Sequence, residues 1–345
     1  MNYDFVKENI QKQLTENYNY NSTFTDLDEF MYIFKIDGTD SLEFLNTIFP
    51  GKIETLSYLQ MQEQVLLSKA GKILDLINLI NFDDYYLIIG NNESKKFILE
   101  KFEEYISKYS FTFQDLTRIK TIISLEGKEI VSLLKEKFFI DVNGLRINTG
   151  DEFSEEKQFF PQNTIVIRNG FFSENGYKII FDTSSKQKVI NYLSYDLSIH
   201  KLTRLQLNCL CYEANSKVFG ITLQKEDCPF EKGLKYLFDF KKESYEHIEI
   251  INQKKITSKK SYIMFILNNI DNINSISANI ISYSDMNIGE VKYLGYSANK
   301  NLYFGYAIVN NEFAFPGSNE LKLGTINLTT ITPPLSSFHN SLNSH

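Results

Sequence analysis

The stretch SKAGKILDLI, residues 68–77, decides how this chain folds, because it reads as a tight turn followed by a strand with one carboxylate, Asp75. It is preceded by VLL at 65–67 and followed by DD at 83–84 and YYLII at 85–89. Apolar runs of four to eight residues bounded by Gly or Asp are typical of buried strands joined by tight turns. The pattern therefore predicts three successive strands with Asp75 on the central one.

A carboxylate among apolar residues costs free energy unless it is hydrogen-bonded, paired or used. One interpretation is structural, with Asp75 bonded to the backbone of the adjacent turn. The other is functional, with a carboxylate kept in a dry cleft to handle a proton or to hold a cationic amine. This stretch alone leaves both interpretations open.

Length and composition indicate a globular protein, since 345 residues with 43% hydrophobic side chains can bury the cores of two or three domains. No uninterrupted apolar run approaches the length that spans a bilayer, and the first twenty residues carry charges where a signal peptide would be apolar. We therefore expect no membrane association and a cytoplasmic location.

Charge and cysteine content exclude two further classes of protein. The net charge of −7 argues against nucleic-acid binding, which relies on Lys and Arg at phosphates. The three cysteines are too few for a disulfide framework, which agrees with a reducing compartment. Cys209 and Cys211 lie two residues apart in an apolar segment without metal-ligand spacing, so no metal site is predicted.

The rest of the chain alternates strands and helices and then changes to closely spaced strands. We predict a surface helix within residues 1–14, a polar loop at 18–26, a strand at 30–36 and a helix capped by residues 40–41. Further helices are predicted at 95–110, 129–137, 184–193 and 201–210, with strands at 121–125, 164–168 and 176–181. Short strands at 262–267, 277–283, 290–294, 302–309 and 321–328 predict a small barrel or sandwich, and 333–345 should be frayed.

Several stretches, in order across almost the whole chain, resemble the folate-dependent T-protein (aminomethyltransferase) family of the glycine cleavage system. IDGTDSLEFLNTIF at 36–49 leads to LLSKAGKILDLI at 66–77, which is similar to the family hairpin LLLNExGGxIDDLI. The other similar stretches are SLEGKE at 124–129, RNGFFSENGYKI at 168–179, LTRLQLNCLCY at 202–212, CPFEKGLKY at 228–236 and GEVKYLGYSANKNLYFGYAIV at 289–309.

The resemblance implies an α+β fold in which two interleaved ferredoxin-like α+β units form a folate-binding disc, followed by a C-terminal β-barrel. The implied boundaries are 1–255 for the folate-binding region, with 1–50 and 115–255 in one unit and 51–114 in the other. The barrel is expected at 256–335 and a disordered tail at 336–345. Tetrahydrofolate would occupy a central channel, and a small-molecule substrate or a lipoyl-type carrier protein would be the partner.

Asp75 matches the second carboxylate of the family's Asp-Asp pair, to which catalysis is assigned, whereas Leu74 replaces the first. In the family that carboxylate lies near the folate nitrogen that receives the one-carbon unit. The apolar neighbours Leu76 and Ile77 would raise the pKa of Asp75 by desolvation.

The resemblance also marks five positions as cofactor-binding, which are Glu174, Tyr177, Lys178, His200 and Arg204. Lys178 replaces the family carboxylate that binds the pterin ring, and an ammonium group cannot accept those hydrogen bonds. His200 replaces an arginine, with loss of a permanent charge. The family's Asp-His pair is missing near residues 30–32. Structural roles remain open for Glu174, in a turn, and for Arg204, in an ion pair with Glu231.

The predicted function is tetrahydrofolate-dependent one-carbon transfer from a small amine. One alternative is a non-catalytic relative of the iron-sulfur assembly type, although EKGLKY at 231–236 lacks the Cys and GQE of that group's signature. The other is a pseudoenzyme with a repurposed cleft, because Lys178 favours an anionic ligand by Coulomb attraction.

Overall fold

The computed structural model describes residues 10, 21–157, 159–268 and 279–335. In chain order its strands are β1 (Thr23–Asp26), β2 (Met31–Asp37), β3 (Met61–Leu67), β4 (Ile73–Asn81), β5 (Tyr85–Asn91), β6 (Thr112–Asp115), β7 (Lys120–Glu126), β8 (Gly150–Phe153), β9 (Thr164–Ile167), β10 (Gly176–Asp182), β11 (His200–Lys201), β12 (Lys260–Leu267), β13 (Ile280–Tyr283), β14 (Met286–Ser297), β15 (Leu302–Asn310), β16 (Leu321–Leu323) and β17 (Ile326–Ile331). Its α-helices are α1 (Ser41–Ile48), α2 (Lys95–Tyr105), α3 (Ile130–Lys137), α4 (Lys186–Asn191), α5 (Arg204–Glu213) and α6 (Ile248–Thr257).

The strands form two open sheets and one closed barrel. The first sheet has the order β11-β1-β7-β10-β9-β8 and the second has the order β3-β4-β5-β2-β6. Strands β12 to β17 close the barrel in the order β12-β15-β14-β13-β16-β17. This arrangement confirms the predicted α+β fold with a C-terminal barrel.

The two open sheets pack face to face, and helices cover their outer faces. Ile80 and Ile89 of the second sheet share one buried cluster with Ile122 and Ile180 of the first. On the outer face of the second sheet, Phe102 of α2 is fully buried against its strands. Since burial of such a side chain stabilises the fold by about 1.5–3 kcal/mol, these layers fix how the strands that carry the site are positioned.

The predicted strand order around Asp75 is confirmed. Strand β4 lies between β3 and β5, and Leu66 pairs with Asp75 across the first hairpin. Gly71 turns that hairpin with a φ of +62°, a conformation that L side chains rarely adopt.

The predicted loop at 18–26 is wrong for its last four residues. Strand β1 pairs with β7 on one side and with β11 on the other, and Thr23 and Thr25 are buried. Because the segment TFTD is short and polar, its pattern resembles a loop, and pairing with distant strands decides its structure.

Other boundaries also differ from the predicted ones. His200 and Lys201 form strand β11, so the helix expected from 201 begins at Arg204, where Thr203 supplies a capping box. Strands β6 and β8 and helix α6 were not predicted, and the segment 321–328 contains a tight turn between β16 and β17. The helix expected at 1–14, except residue 10, and the tail at 336–345 lie outside the described residues.

Sheet membership differs from the expected grouping of residues 1–50 with 115–255. Strand β2 pairs with β5 and β6, so residues 31–37 lie in the sheet formed by 61–115. The strand FMYIFKI is apolar on both faces and can therefore be buried at the centre of either sheet. The domain boundaries themselves stay a prediction.

Candidate functional site

Asp75 is fully buried, and both of its carboxylate oxygens accept hydrogen bonds. The Leu76 N–H donates to Oδ1 at 2.8 Å, whereas the Tyr32 hydroxyl and the Asn91 N–H donate to Oδ2 at 2.9 and 3.2 Å. Burial raises the pKa of Asp75 to about 8, although these hydrogen bonds act in the opposite direction. Three protein donors therefore hold the carboxyl group of Asp75 in place.

Gly90 provides the space for this cluster. It pairs with Tyr32 across β2 and β5, so the two residues share one face of the sheet. A Cβ added to Gly90 would lie 2.5 Å from Asp75 Oδ2 and would collide with the Tyr32 hydroxyl. Only glycine leaves room for the carboxyl group and the phenol together.

A cavity of about 130 Å³ lies between the two open sheets, and Gly90 and Asn91 form part of its wall. Leu76 and Asn78 line it from β4, whereas Asp75 does not. Because successive side chains of a strand point to opposite faces, the carboxyl group of Asp75 lies on the far side of the sheet from the cavity.

Lys178 on β10 reaches the cavity from the first sheet. Its Nζ donates to the backbone oxygen of Asn169 at 2.9 Å and to the side-chain oxygen of the same residue, and it lies 4.4 Å from the centre of the Phe171 ring. Burial lowers the pKa of Lys178 to about 8, against the opposing effect of Glu126 and Glu63. The cavity wall therefore carries the Lys178 side chain, whose role in cofactor binding stays a prediction.

Two more charged side chains line the same cavity, Glu63 of β3 and Lys217. The Tyr236 hydroxyl donates to Glu63 Oε2 at 2.9 Å, and burial raises the pKa of Glu63. Burial also lowers the pKa of Lys217 to about 8, and its Nζ donates to Asn215 Oδ1 at 2.8 Å. The sequence analysis missed both, since no motif contains them.

Glu126, at the end of β7, shapes the loop that lines the cavity beside Lys178. It is buried and accepts hydrogen bonds from the backbone N–H groups of Phe171, Phe172 and Ser173 at 2.9 to 3.1 Å. Its Oε1 also accepts from the Ser124 hydroxyl at 2.9 Å. The signal for this residue was the stretch SLEGKE, in which the sequence analysis gave no role to the glutamate.

The other predicted binding residues do not line this cavity. Tyr177 packs in the cluster on the outer face of the first sheet, and Glu174 is exposed. His200 is exposed on β11, where its Nε2 lies 3.1 Å from Gln206 Oε1. Of the five predicted cofactor-binding positions, only Lys178 lines the cavity.

Arg204 lines a different cavity, between β1 and the start of α5. Its guanidinium donates to the Gly220 oxygen at 2.8 Å and lies 4.5 Å from the centre of the Phe30 ring. Among the residues that the structure describes, no ion pair joins Arg204 to Glu231, and no three His, Cys, Asp or Glu side chains are grouped as a metal ion would require.

The family assignment rests on the GCVT N-terminal domain, whose profile matches residues 14–242. The chain belongs to this family. The aminomethyltransferase of Leptospira biflexa is 21% identical over 282 residues, which are 81% of this chain and 75% of that protein. Those of Pseudothermotoga lettingae and Streptomyces avermitilis are 23% and 22% identical over 65% and 60% of this chain. The matches span only 62% and 56% of these two relatives.

The fold of this GCVT-family chain is that of a solved relative. The crystal structure of glycine cleavage system aminomethyltransferase T from Bartonella henselae superposes with a TM-score of 0.80 at 16% identity, covering 95% of this chain and 89% of that one. The predicted T-protein fold is thereby confirmed. No helix within the described ranges is both long and apolar enough to cross a membrane.

Proposed function

We propose that this protein transfers a one-carbon unit from a small amine to tetrahydrofolate within the cavity between the two sheets. The observation that carries this proposal is the cavity itself, whose walls hold one carboxylate, Glu63, and two ammonium groups, Lys178 and Lys217. Membership of a family whose relatives are named aminomethyltransferases supports the reaction class. We also propose that the protein is soluble and cytoplasmic. It would take its one-carbon donor either as a free molecule or from a lipoyl-type carrier protein.

A pterin ring in this cavity would be bound by side chains other than those that bind it in the family. The ring presents amide and amino N–H groups, and Lys178 cannot accept them. Glu63, on the facing sheet, is a carboxylate that can accept two such bonds, and the Asn78 and Asn169 amides lie in the same walls. Bound tetrahydrofolate would supply the nitrogen that receives the one-carbon unit.

Asp75 acts here as a positioning residue, because the β5 backbone separates it from the cavity. It holds the Asn91 N–H and the Tyr32 hydroxyl and thereby fixes the wall at Gly90. With a pKa of about 8, it changes charge near neutral pH and so alters the potential across that wall. The direct catalytic role predicted for Asp75 stays a prediction.

A second candidate is a binding protein of the same fold without transfer chemistry. The position of Asp75 outside the cavity lining, where three protein groups donate to it, favours this function, since the family's catalytic carboxylate is then not in contact with ligand.

Calorimetric titration with tetrahydrofolate, followed by an aminomethyl-donor assay, separates the two candidates. We expect saturable binding to the wild type and about tenfold or greater weakening in Glu63→Gln, because a charge-assisted hydrogen bond contributes about 1.5–3 kcal/mol. Glu136→Gln, at an exposed position outside the cavity, is the matched control. Binding with formation of methylenetetrahydrofolate supports the transferase, binding without turnover supports the second candidate, and absence of binding overturns both.

A further inference from the structure

The two lysines of the cavity have unused hydrogen-bond donors. An ammonium group carries three N–H bonds. Lys178 uses two, both on Asn169, and Lys217 uses one, on Asn215. Within the described ranges, three N–H groups of this pair therefore have no protein acceptor.

Neither lysine has a carboxylate partner in the part of the chain that the structure describes. The carboxylates whose charges act on these lysines are already engaged, since Glu126 accepts from backbone N–H groups and Glu63 accepts from the Tyr236 hydroxyl. Glu63 and Glu126 act on Lys178 through space without forming an ion pair. A buried ammonium group needs a partner to offset the loss of hydration, and an anion within the cavity would supply that partner to these lysines.

We propose that Lys178 and Lys217 form a carboxylate subsite in the cavity between the sheets. Two sources fit this chemistry, the carboxylate of a small amino-acid-type donor and a carboxylate of the glutamate tail of folate. The proposed function is needed only to identify these two molecules as the ligands of the subsite. Recognition of a carboxylate by the lysine pair requires no transfer reaction.

Titration of the lysines supports the subsite and gives a pH dependence. Burial lowers the pKa of both lysines to about 8. The titratable groups that face Lys178 are Glu126, Glu63 and Cys211. Those that face Lys217 are Lys232 and Glu63. An added carboxylate favours the charged ammonium and raises these pKa values. Carboxylate binding at pH 8 should therefore be accompanied by the uptake of about one proton at most by the two lysines. The affinity for the carboxylate should fall as the pH rises above 8.

The test is calorimetric titration of the full chain with acetate, glycine, tetrahydrofolate and 6-methyltetrahydropterin, which has no carboxylate. Titrations at pH 8 in buffers of different ionisation enthalpy give the proton uptake. We expect Lys217→Met and Lys178→Met to weaken carboxylate binding by about tenfold or more. Both substitutions should weaken the binding of 6-methyltetrahydropterin less than that of the carboxylates, because this pterin offers no carboxylate to the lysines. Lys128→Met, at an exposed position away from the cavity, is the control.

The ligands distinguish the two sources. Lysine-dependent binding of acetate or glycine assigns the subsite to the small donor, and lysine dependence confined to tetrahydrofolate assigns it to the glutamate tail. Carboxylate affinities that are equal in wild type and Lys217→Met, or binding without proton uptake, would overturn the proposal. Lys217 is only partly buried, so this result stands even if Lys178→Met does not fold. If acetate binds and tetrahydrofolate does not, the proposed function fails and the subsite remains.

Discussion

At the scale of single residues, the bond between Tyr32 and Asp75 determines what the carboxyl group can do. The phenol occupies the space that Gly90 leaves open and donates to a fully buried oxygen. Removing this hydroxyl should raise the pKa of Asp75 above its value of about 8, since the hydrogen bond lowers that pKa.

We predict that Tyr32→Phe destabilises the protein more at pH 9 than at pH 6. At pH 9 the carboxylate is ionised, and loss of its hydroxyl partner should cost about 1.5–3 kcal/mol. At pH 6 the folded state holds Asp75 protonated, and the loss should be about 0.5–1.5 kcal/mol. Urea unfolding at both pH values measures the difference.

Tyr303→Phe provides the control for this comparison, because no hydrogen bond of the Tyr303 hydroxyl is found among the described residues. Its effect should be small and the same at both pH values. An equal loss of stability at pH 6 and pH 9 in Tyr32→Phe would show that the Asp75 charge is not involved.

The sequence alone predicted part of this arrangement. The raised pKa of Asp75 follows from its apolar neighbours in the chain. The Tyr32 contact could not be predicted, because 43 residues separate the two and the strand order β4-β5-β2 brings them together. Glu63 was missed for the same reason, since the packing of the two sheets places it in the same cavity as Lys178, and Lys217 reaches that cavity from the loop after α5.

At the scale of elements, one carboxylate organises the turn before β10. Glu126 accepts four hydrogen bonds, three of them from the backbone of residues 171–173. Gly170 permits the close approach, because a Cβ there would lie 2.9 Å from Glu126 Oε2 and 2.7 Å from the Gly176 Cα. The same turn carries Asn169, which holds the Lys178 ammonium group.

We predict that Glu126→Gln lowers the free energy of unfolding by about 2–4 kcal/mol. The amide NH₂ cannot accept, so it leaves buried backbone N–H groups without a partner. Chemical denaturation measures this loss. Glu136→Gln, on the exposed face of α3, should change stability by less than about 0.5 kcal/mol. Comparable effects of the two substitutions would contradict the role of Glu126.

Elements with strong apolar patterns were predictable, and those defined by partners were not. The hairpin from β3 to β5 follows from its apolar runs and its glycine turn. Strand β1 has four residues, two of them buried threonines, and its pairing with β7 and β11 cannot be read from its own composition.

At the scale of the whole molecule, helix α5 joins the barrel to the sheets. Tyr212 of α5 stacks on Tyr293 of β14 with ring centres 3.6 Å apart, and the Tyr306 hydroxyl donates to the Tyr212 backbone oxygen at 2.9 Å. Lys232 adds a second link, because its Nζ lies 3.8 Å from the centre of the Tyr262 ring in β12 and 3.0 Å from Asp227.

We predict that Tyr212→Ala uncouples the barrel from the sheets. The substitution removes the stacked ring and should cost about 3–5 kcal/mol, so that scanning calorimetry shows two transitions instead of one. Tyr212→Phe keeps the stack, loses only the hydrogen bond to the Ile221 oxygen and should unfold in one transition. A single transition in the alanine variant would mean that other contacts suffice for cooperativity.

The bare backbone at Gly90 has one more consequence. The Gly90 backbone lies beside the Asp75 carboxyl group and also lines the cavity. A charge in a protein interior of low dielectric constant is weakly screened, so the charge of Asp75 acts across this backbone. When Asp75 gains or loses a proton near pH 8, the electrostatic potential at an ion bound in the cavity therefore changes. The second sheet therefore separates a titrating group on one face from a recognition site on the other.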